Sequence, residues 1–333
     1  MSKRITKCRG CYSSNVDEVL PLQSIPIGDH FSKKYNNEPV YPVGLTLCEN
    51  CSLVQLTQKL QKQTVFKQYF FNSHTLPFEP RKLKSQVLDI AKFLGTVDGS
   101  LILEIGCGSG HLLQEFSSQG AQAIGIEPSA AQVDVASGRG IKIITGGFDE
   151  KTVDEFLHLY GRADLVVIDN SSKMQHPIHL SNVPDPLHYV SNLANLVKPE
   201  GKVVVRTPYL GEIVNRGLID YVYHEHQSYF SLISITNLFS RLGFGIINAR
   251  RCEDDDLNAQ FVFSKNRSVV SEDLSVNDFA RTEHHLHLGN TSTYRRLGER
   301  LKTCRKRIQK ELENLSTATI VGYGASVAPV SMM

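Results

Sequence analysis

The stretch that decides the fold is SLILEIGCGSGHLLQEFSSQGAQAIGIEPS, residues 100–129. It opens with an apolar run typical of a strand that is buried on both faces of a parallel sheet. Gly106, Gly108 and Gly110 come next and favour a tight turn in which a ligand can approach the backbone. A helix and a second strand follow, and Glu127 lies at the end of that strand, where open α/β sheets bind their ligands. The stretch therefore predicts the ligand-binding strand, turn, helix and strand of an α/β domain.

The glycine turn does not match the dinucleotide fingerprint G-x-G-x-x-G. Counting from Gly106, the sixth place holds His111 instead of glycine. G-x-G-x-G after an acidic residue, here Glu104, resembles the pattern of class I S-adenosylmethionine (SAM) methyltransferases. That resemblance implies that Glu104 and residues 106–110 face the methionine part of SAM, and that Glu127 accepts hydrogen bonds from both ribose hydroxyls. A glycine-rich turn in another kind of α/β domain is the alternative.

The remaining strands predict the Rossmann-like sheet of a class I methyltransferase. Five helix-linked strands that close with a hairpin are expected, at residues 101–105, 123–126, 141–144, 164–169 and 202–206, then 245–249 and 260–264. Phe148 follows the third strand, where a class I site usually meets the adenine. Asn170 begins the long loop after the fourth strand, and long loops at that end of a sheet are usually functional. Both residues are therefore expected to contact the cofactor.

Bulk composition argues against several kinds of partner. A net charge of +2 with 21% charged residues gives no electrostatic reason to expect nucleic acid or a membrane surface as partner. The N-terminus, MSKRITKCRGCYSS, has no apolar core and so does not resemble a secretory signal. No apolar run approaches the about 20 residues that a membrane-spanning helix needs. We therefore expect a cytoplasmic protein that is a monomer or a weak homodimer.

Four of the seven cysteines form two C-x2-C pairs near the N-terminus. Cys8 and Cys11 make the first pair and Cys48 and Cys51 the second, with 36 residues between the pairs. Each pair brings two thiolates onto one tight turn, and two such knuckles complete a tetrahedral metal site. In a reducing compartment, such cysteines bind metal more often than they form disulfides. No ligand position is left open, so we predict a structural Zn²⁺ site; four unrelated buried cysteines are the alternative.

A second concentration of reactive side chains is YVYHEHQSYFS, residues 221–231. His224 and His226 alternate around Glu225, so a strand-like segment would place both histidines on one face. A metal site is one interpretation, but no third ligand is evident. Histidine titrates near neutral pH and an adjacent carboxylate can orient it, which favours acid–base catalysis. A packed surface loop is the simpler alternative.

Taken together, these features resemble the nucleotide-sugar C-methyltransferase family. Its members carry an N-terminal four-cysteine zinc module, a central SAM domain and a C-terminal domain. The matching pieces run from one end of the chain to the other: CRGC, CENCSLVQ, YFFNS, EIGCGSGHLL, NVPDP, PYL, YHEHQSYFS and GYGAS. The cysteine knuckles combined with YHEHQSYFS are the most diagnostic of these, since EIGCGSG alone implies only a methyltransferase.

The resemblance implies methyl transfer to carbon. A nucleotide-linked 4-keto-6-deoxy sugar has an acidic proton at C3, beside the ketone; a base removes it, and the carbanion attacks the methyl group of SAM. His226 would be that base, with Tyr223 and Glu225 positioning it or polarising the keto oxygen. Tyr69 and Ser73 fall in the family's segment over the SAM and sugar pocket and are expected to contact the cofactor. Such reactions belong to deoxysugar, surface-polysaccharide or natural-product biosynthesis.

The same resemblance implies a division into four parts. A zinc-binding module is expected at residues 1–66, a connecting lid and helix at 67–98, the SAM-dependent domain at 99–266, and an incomplete C-terminal domain at 267–333. Members of the family continue past GYGAS, whereas this chain ends at Met333. We therefore expect the C-terminal domain to be truncated.

Several positions depart from the family pattern. Asn182 stands where a histidine is common, Arg206 where a glutamate is common, and Gln260 where an arginine is common. Two alternatives to a sugar C-methyltransferase therefore stay open. One is a truncated relative that binds zinc and SAM but turns over nothing, and the other is an O- or N-methyltransferase of another small molecule.

Near the end of the chain, residues 291–315 predict an amphipathic helix. Its apolar, inward face is expected to comprise Tyr294, Leu297, Leu301, Cys304, Ile308 and Leu312. Its basic residues are interpreted as a solvated face.

Overall fold

The structure is a computed structural model that describes residues 3–27, 39–60, 80–169, 177–252, 257–265 and 274–315, with residue 319. The chain folds into two compact units. The first comprises Met1–Phe70, Tyr209–Ser231 and Thr282–Met333, and the second comprises Phe71–Pro208 and Leu232–Arg281. This grouping does not follow chain order, because the segment that contains Tyr-His-Glu-His belongs to the first unit. The linear division expected from the family, at residues 66, 98 and 266, stays a prediction.

The secondary-structure elements alternate between strands and helices after an all-β beginning. The first strands are β1 (Lys3–Arg4), β2 (Val16–Pro21), β3 (Ile25–Pro26), β4 (Val40–Tyr41), β5 (Gly44–Cys48), β6 (Val54–Leu56) and β7 (Gln58–Lys59). Then come α1 (Pro80–Ala91), β8 (Leu101–Ile105), α2 (His111–Ser118), β9 (Gln122–Glu127), α3 (Ala130–Gly138), β10 (Lys142–Thr145), α4 (Glu150–Tyr160), β11 (Ala163–Asp169), α5 (Pro186–Leu196) and β12 (Val197–Pro208). The remainder is α6 (Leu210–Arg216), a 3-10 helix (Ile219–Tyr221), β13 (Ser228–Tyr229), α7 (Leu232–Ser240), β14 (Gly245–Arg251), β15 (Asn258–Ser264), α8 (Leu274–Leu286) and α9 (Thr291–Asn314).

A seven-stranded sheet forms the centre of the second unit. Its order is β10-β9-β8-β11-β12-β15-β14. The strands β10, β9, β8, β11 and β12 are parallel to one another, whereas β15 is antiparallel to both of its neighbours. The predicted class I arrangement of five helix-linked strands and a closing hairpin is confirmed.

The sequence explains why these strands and helices form. Every residue of β8 is buried, as the apolar run predicted, because helices cover both faces of such a parallel sheet. Asp149 accepts a hydrogen bond from the Thr152 backbone at the start of α4, and Asp185 with Pro186 begins α5. One side of the sheet packs on α1 and α2 through an apolar cluster that includes Val87, Ile90, Ile102, Leu112, Leu113, Phe116, Val167, Val204 and Val262.

Short antiparallel strands form most of the first unit. A four-stranded sheet has the order β13-β6-β5-β2, and two further pairs are β1 with β7 and β3 with β4. The strand β13 comes from a segment far along the chain, yet it pairs with β6 through Ser228 opposite Gln55 and Tyr229 opposite Val54. This pairing fixes the Tyr-His-Glu-His segment to the cysteine-containing sheet.

The amphipathic helix near the end of the chain is confirmed as α9, but half of its expected inward face is wrong. Tyr294 and Leu297 are buried, and the Tyr294 hydroxyl donates to the Leu288 carbonyl at 2.6 Å. Cys304, Ile308 and Leu312 are exposed instead. Periodicity identifies an apolar stripe on a helix, but it does not say how much of the stripe another element covers. Among the helices in the described ranges, none is both long enough and apolar enough to cross a bilayer.

Candidate active site

The predicted glycine turn follows β8 in the second unit. Gly106, Gly108 and Gly110 have φ values of 75°, 52° and 74°. These positive values favour glycine, because a Cβ atom would strain the backbone there. The Gly106 N–H donates to the Ile126 carbonyl at 2.8 Å, which joins the turn to the end of β9. The turn therefore brings three residues without side chains close together, which lets a ligand approach the backbone there.

Replacing Gly108 by alanine tests this conformation. We expect the strained φ to cost about 1–2 kcal/mol of stability and to weaken SAM binding, because the added Cβ would lie on the turn that is predicted to face the ligand. Calorimetric titration with SAM and thermal unfolding measure the two effects. The control is Gly138→Ala at the end of α3, where no atom lies within 4 Å of the added Cβ. Equal SAM affinities for the two variants would contradict the assignment of the turn.

Glu127 lies at the carboxyl end of β9 and its side chain is completely buried. Its Oε2 accepts from the Gly108 N–H at 2.9 Å, and its Oε1 accepts from the Ser129 N–H at 2.8 Å. These two bonds hold the carboxylate against the glycine turn, which agrees with its predicted role toward ribose hydroxyls.

Glu104, the acidic residue before the turn, lies in an electrostatically unfavourable place. It is 6% exposed, and its Oε2 has no hydrogen-bond partner among the described residues. Burial raises its pKa well above the usual value, and the nearby charges of Asp169 and Glu127 raise it further. A ligand that brings positive charge would reverse this effect. SAM carries a sulfonium and an ammonium group, so the residues present fit this cofactor.

Glu104→Gln removes the charge and keeps the shape. Because its pKa is raised on folding, the folded protein holds this proton more tightly than the unfolded chain does. The resulting destabilisation is absent below the pKa of this carboxyl in the unfolded chain, about 4.3. It grows as the pH rises toward the pKa of the same carboxyl in the folded protein. We expect the cofactor-free variant to be more stable than the wild type at pH 8 and equal to it at low pH, while SAM binding weakens.

Urea unfolding at both pH values and calorimetric titration with SAM check this prediction. Glu155→Gln, an exposed change on α4, is the matched control. A Glu104 variant that is less stable at pH 8 and binds SAM normally would show that this carboxylate supports the fold only.

Asp169 begins a row of polar side chains that the sequence did not reveal. Asp169, Arg206, Gln260 and Arg250 are register partners on β11, β12, β15 and β14. Arg206 is 2% exposed, and its Nη1 lies 3.6 Å from Asp169 Oδ2. The Gln86 side chain of α1 also donates to Asp169. Strand register is not readable from sequence, but the position of Asp169 at the end of a predicted strand was an available signal.

The other expected cofactor contacts divide into two groups. Phe148 is half-buried, and its ring centroid lies 4.6 Å from that of Tyr189, so it presents an aromatic surface in the second unit. Tyr69, Ser73 and Asn170 lie outside the described residues. Their roles stay predictions, as do those of the glycine turn, Glu104 and Glu127.

The four predicted metal ligands converge in the first unit. The sulfur atoms of Cys8, Cys11, Cys48 and Cys51 all lie within 4.8 Å of one another. The Cys8–Cys51 and Cys11–Cys48 sulfur pairs are each 3.5 Å apart. Tetrahedral zinc with bonds of about 2.3 Å requires sulfur atoms about 3.8 Å apart. The donor set and spacing therefore fit zinc.

The two cysteine knuckles have the same backbone form. The Tyr12 N–H donates to the Cys8 carbonyl and the Ser52 N–H donates to the Cys48 carbonyl, both at 2.9 Å. Tyr12 and Ser52 follow the second cysteine of each pair and have positive φ values of 58° and 57°. Such a conformation is unusual for residues other than glycine. Each knuckle is thus a closed turn that presents two thiolates on the same side.

The Tyr-His-Glu-His segment forms a turn, so the two histidines do not share the face that a strand would give them. The His226 N–H donates to the Tyr223 carbonyl at 3.2 Å, which folds residues 223–226 back on themselves. The two histidines consequently face different partners. His224 Nε2 donates to the Tyr41 carbonyl at 3.3 Å, whereas His226 contacts tyrosines of its own segment.

Hydrogen bonds fix the tautomer of His226. Its Nδ1 lies 3.2 Å from the Tyr221 carbonyl, which can only accept, so Nδ1 carries the hydrogen. Its Nε2 lies 3.0 Å from the Tyr223 hydroxyl and accepts from it. The arrangement aims the basic lone pair of the imidazole at Tyr223.

Burial decides the charge of both histidines. Desolvation lowers the pKa of His226 to about 4, although its hydrogen bond to Tyr221 opposes this shift. Burial also lowers the pKa of His224 to about 4. Both imidazoles are therefore neutral at pH 7, and the expected titration near neutral pH is wrong for them, because burial disfavours the charged form. Glu225, the third member of the predicted catalytic group, is 6% exposed.

Two family models match the parts of the chain that contain the glycine turn and the four cysteines. A family model described as "Methyltransferase domain" matches residues 78–249, slightly more than half of the chain. A second model, described as "Putative zinc binding domain", matches residues 8–66. These two matches cover the glycine turn and the four cysteines respectively.

Individual relatives are also methyltransferases. C-methyltransferase NovU from Streptomyces niveus is 24% identical over 327 residues, which are 96% of this chain and 76% of that protein. A ubiquinone biosynthesis O-methyltransferase from Alkalilimnicola ehrlichii is 32% identical over 119 residues, 35% of this chain and 45% of that protein. The SAM-bound structure of magnesium protoporphyrin IX methyltransferase from Synechocystis superposes with a TM-score of 0.44 at 16% identity, over 62% of this chain and 98% of the other.

The cofactor-type turn, the class I sheet and the four-cysteine cluster thus occur in one chain, and a methyltransferase domain model covers more than half of it. The similarity to a C-methyltransferase extends over nearly the whole length. The chain belongs to the methyltransferase domain family and is a SAM-dependent methyltransferase with an N-terminal zinc-binding domain, similar to a C-methyltransferase.

Proposed function

We propose that this protein methylates the C3 carbon of a nucleotide-linked 4-keto-6-deoxy sugar. The observation that carries the proposal is the buried Tyr223–His226 pair, with Nδ1 hydrogen-bonded to a carbonyl and the Nε2 lone pair held by a hydroxyl. Such a neutral imidazole is a base of fixed orientation. A methyltransferase that acts on carbon needs a base to make that carbon nucleophilic. This chain is similar to a C-methyltransferase over 96% of its length.

The proposed reaction begins at the sugar ketone. His226 Nε2 takes the proton from C3, and the electron pair of the broken C–H bond moves into the enolate of the ketone. The new C3–CH₃ bond would form as the S–CH₃ bond of SAM breaks, with S-adenosylhomocysteine as the leaving group. When bound, SAM supplies the methyl group as an electrophile. The protein orients the partners and holds the abstracted proton on the imidazole.

Two routes for this proton agree with the hydrogen bond between Tyr223 and His226. In the first, the bond opens and Nε2 accepts the proton directly. In the second, Tyr223 passes its hydroxyl proton to Nε2 while its oxygen takes the proton from C3. Glu225 keeps its predicted task of positioning the base or polarising the keto oxygen. Burial of all three side chains excludes water, which strengthens electrostatic contacts between them.

The cofactor residues in this proposal belong to the second unit. Gly106, Gly108 and Gly110 would hold the methionine part of SAM, and Glu127 would accept from the ribose hydroxyls. Glu104 would lie near the positive charge of the cofactor, which its raised pKa supports. Phe148 would contact the adenine. Residues Asn170, Tyr69 and Ser73 are proposed as further contacts from the family resemblance alone.

The setting of the reaction is also a proposal. We infer a cytoplasmic enzyme of deoxysugar, surface-polysaccharide or natural-product biosynthesis, acting as a monomer or weak homodimer on a nucleotide-sugar substrate. A net charge of +2 supports the expectation that neither nucleic acid nor a membrane is its partner.

Labelled SAM and a panel of nucleotide-linked 4-keto-6-deoxy sugars test the function. We expect label on the sugar, with a new C–CH₃ signal in the proton NMR spectrum and no O–CH₃ or N–CH₃ signal. Transfer to oxygen or nitrogen would replace the proposal with the second alternative. SAM binding without transfer to any sugar of the panel would favour the inactive relative.

A further inference from the structure

We propose that Arg9, the residue between the first two cysteines, is a positioning residue that holds the His226 segment to the zinc knuckle. This inference deepens the proposed function, because its catalytic consequence rests on the role of His226 as base. Its structural consequence does not depend on that role.

Arg9 reaches across the first unit with almost its whole side chain buried. It is 6% exposed. Its Nη1 donates to the carbonyls of Leu56 at 2.9 Å and Gln227 at 3.4 Å, and its Nη2 donates to the Gln58 carbonyl at 2.8 Å. The Arg9 backbone N–H also donates to Gln55 Oε1 at 2.9 Å. One side chain therefore connects the knuckle, the β6–β7 strands and the residue after His226.

The Gln227 carbonyl is the point where these contacts meet the proposed base. It accepts from Arg9 and also from the Leu56 backbone N–H at 3.0 Å. The next residue, Ser228, begins the strand β13 that pairs with β6. The chain on the carboxyl side of His226 is thus fixed to β6 and Arg9, while the imidazole is fixed by Tyr221 and Tyr223 on the amino side.

An arginine suits this position for chemical reasons. Its planar guanidinium presents donors in a rigid fork, so it can serve three carbonyl oxygens at once, which the single ammonium of lysine cannot do in the same geometry. Hydrogen bonds from a charged donor are also stronger than neutral ones. Four thiolates around one Zn²⁺ carry a net negative charge, which favours a buried cation between Cys8 and Cys11.

A second consequence concerns the zinc site itself. Because Arg9 lies inside the C-x2-C turn, the direction of its side chain depends on the closed form of that turn. The turn is closed by the bond from the Tyr12 N–H to the Cys8 carbonyl, and metal ligation by both cysteines would hold it closed. The zinc knuckle would therefore act on the base through Arg9 without contacting substrate.

Hydrogen–deuterium exchange of the zinc-loaded, full-length protein tests the proposal with Arg9→Met. Losing the charged hydrogen bonds should speed amide exchange in residues 221–229 by about 10- to 100-fold, since such bonds contribute about 1.5–3 kcal/mol. Exchange in β2 and β5, and one zinc per chain, should stay unchanged. We also expect kcat to fall about tenfold or more with an unchanged KM for SAM, because the base is misplaced while the cofactor turn is intact.

Arg4→Met is the matched control, because Arg4 is an exposed arginine of β1 in the same unit and its ion pair with Glu18 is at the surface. Arg9→Lys keeps the positive charge but lacks the planar set of guanidinium donors. It is the variant to use if Arg9→Met does not fold. Faster exchange throughout the first unit, or loss of zinc, would mean that Arg9 supports only the fold of the unit. Unchanged exchange in residues 221–229 would overturn the proposal directly. Faster exchange confined to residues 221–229, in a protein that methylates no sugar, would support the positioning role of Arg9 and reject the proposed function.

Discussion

His226→Asn is expected to lower the rate of C3 proton exchange by about 10²–10⁴-fold, the range that a positioned general base contributes. Asparagine can occupy a similar volume and donate a hydrogen bond, but it cannot accept a proton at neutral pH. The measurement is deuterium uptake at C3 of the 4-keto sugar in heavy water, followed by NMR, together with methyl transfer from labelled SAM. SAM affinity should be unchanged, because the glycine turn and Glu127 are untouched.

The pH profile gives an independent check on this base. Because burial lowers the pKa of His226 to about 4, the imidazole is already deprotonated at pH 6. Exchange should therefore stay constant as the pH falls from 8 toward 5, and decline only near the lowered pKa. An ordinary, exposed histidine would lose activity near pH 6.5.

His158→Asn is the control for this experiment, since His158 is exposed on α4 and has no place in the proposed site. Full C3 exchange in the His226 variant would reject His226 as the base. A decline of wild-type exchange centred near pH 6.5 would show that a different group accepts the proton.

Tyr223→Phe separates the two proton routes. If Nε2 takes the proton directly, removing the hydroxyl that lies 3.0 Å away should reduce exchange by less than about tenfold, since one neutral hydrogen bond contributes about 0.5–1.5 kcal/mol. If the hydroxyl relays the proton, the loss should match that of His226→Asn. The double variant resolves the assignment, because residues that act as one unit give non-additive losses.

Cys48→Ser is expected to have the largest effect on stability. Structural zinc contributes about 10–16 kcal/mol of apparent binding free energy in zinc-finger peptides, and this energy supports folding. Cys48 is completely buried and its sulfur lies 3.5 Å from that of Cys11. The variant should lose its zinc and unfold the first unit, which includes residues 221–231.

The consequences should differ between the two units. Calorimetric unfolding should show a lost or strongly lowered transition for the first unit, while the second unit keeps its sheet and its own apolar cluster. Methyl transfer should disappear, because the His226 segment pairs with β6 of the cysteine-containing sheet. Zinc content by mass spectrometry and SAM titration measure both expectations.

Cys304→Ser serves as the matched control, because Cys304 is an exposed cysteine of α9. It should keep zinc, stability and transfer. A Cys48 variant that loses zinc and retains a folded first unit would mean that the cluster contributes little to this fold. A variant that loses SAM binding as well would mean that the second unit does not fold independently.

Several parts of the site followed directly from the sequence. The three glycines before His111 have the positive φ values that their spacing required, and the four cysteines converge as their pairing predicted. The order of strands and helices predicted the class I sheet and its closing hairpin. Each of these depends on residues close together in the chain, where the backbone has few choices.

Other parts were not predictable. Alternation of His224 and His226 would place both on one face of a strand, but the segment forms a turn in which the His226 N–H donates to the Tyr223 carbonyl. The apolar stripe of α9 continues past the part that is covered, so Ile308 and Leu312 are exposed. In both cases the local pattern was compatible with more than one structure.

The sequence alone determined a glycine turn that resembles those of SAM methyltransferases, two cysteine pairs and the order of strands and helices, because short spacings and periodicity specify such elements. The tertiary structure decided what surrounds them. It paired Asp169 with Arg206 on neighbouring strands, and it brought Arg9 to the carbonyl of Gln227, 218 residues further along the chain. Contacts of this kind depend on strand register and packing, which no local pattern encodes. Packing also buries His226, which lowers its pKa to about 4 and keeps it neutral, and the proposed chemistry depends on that charge.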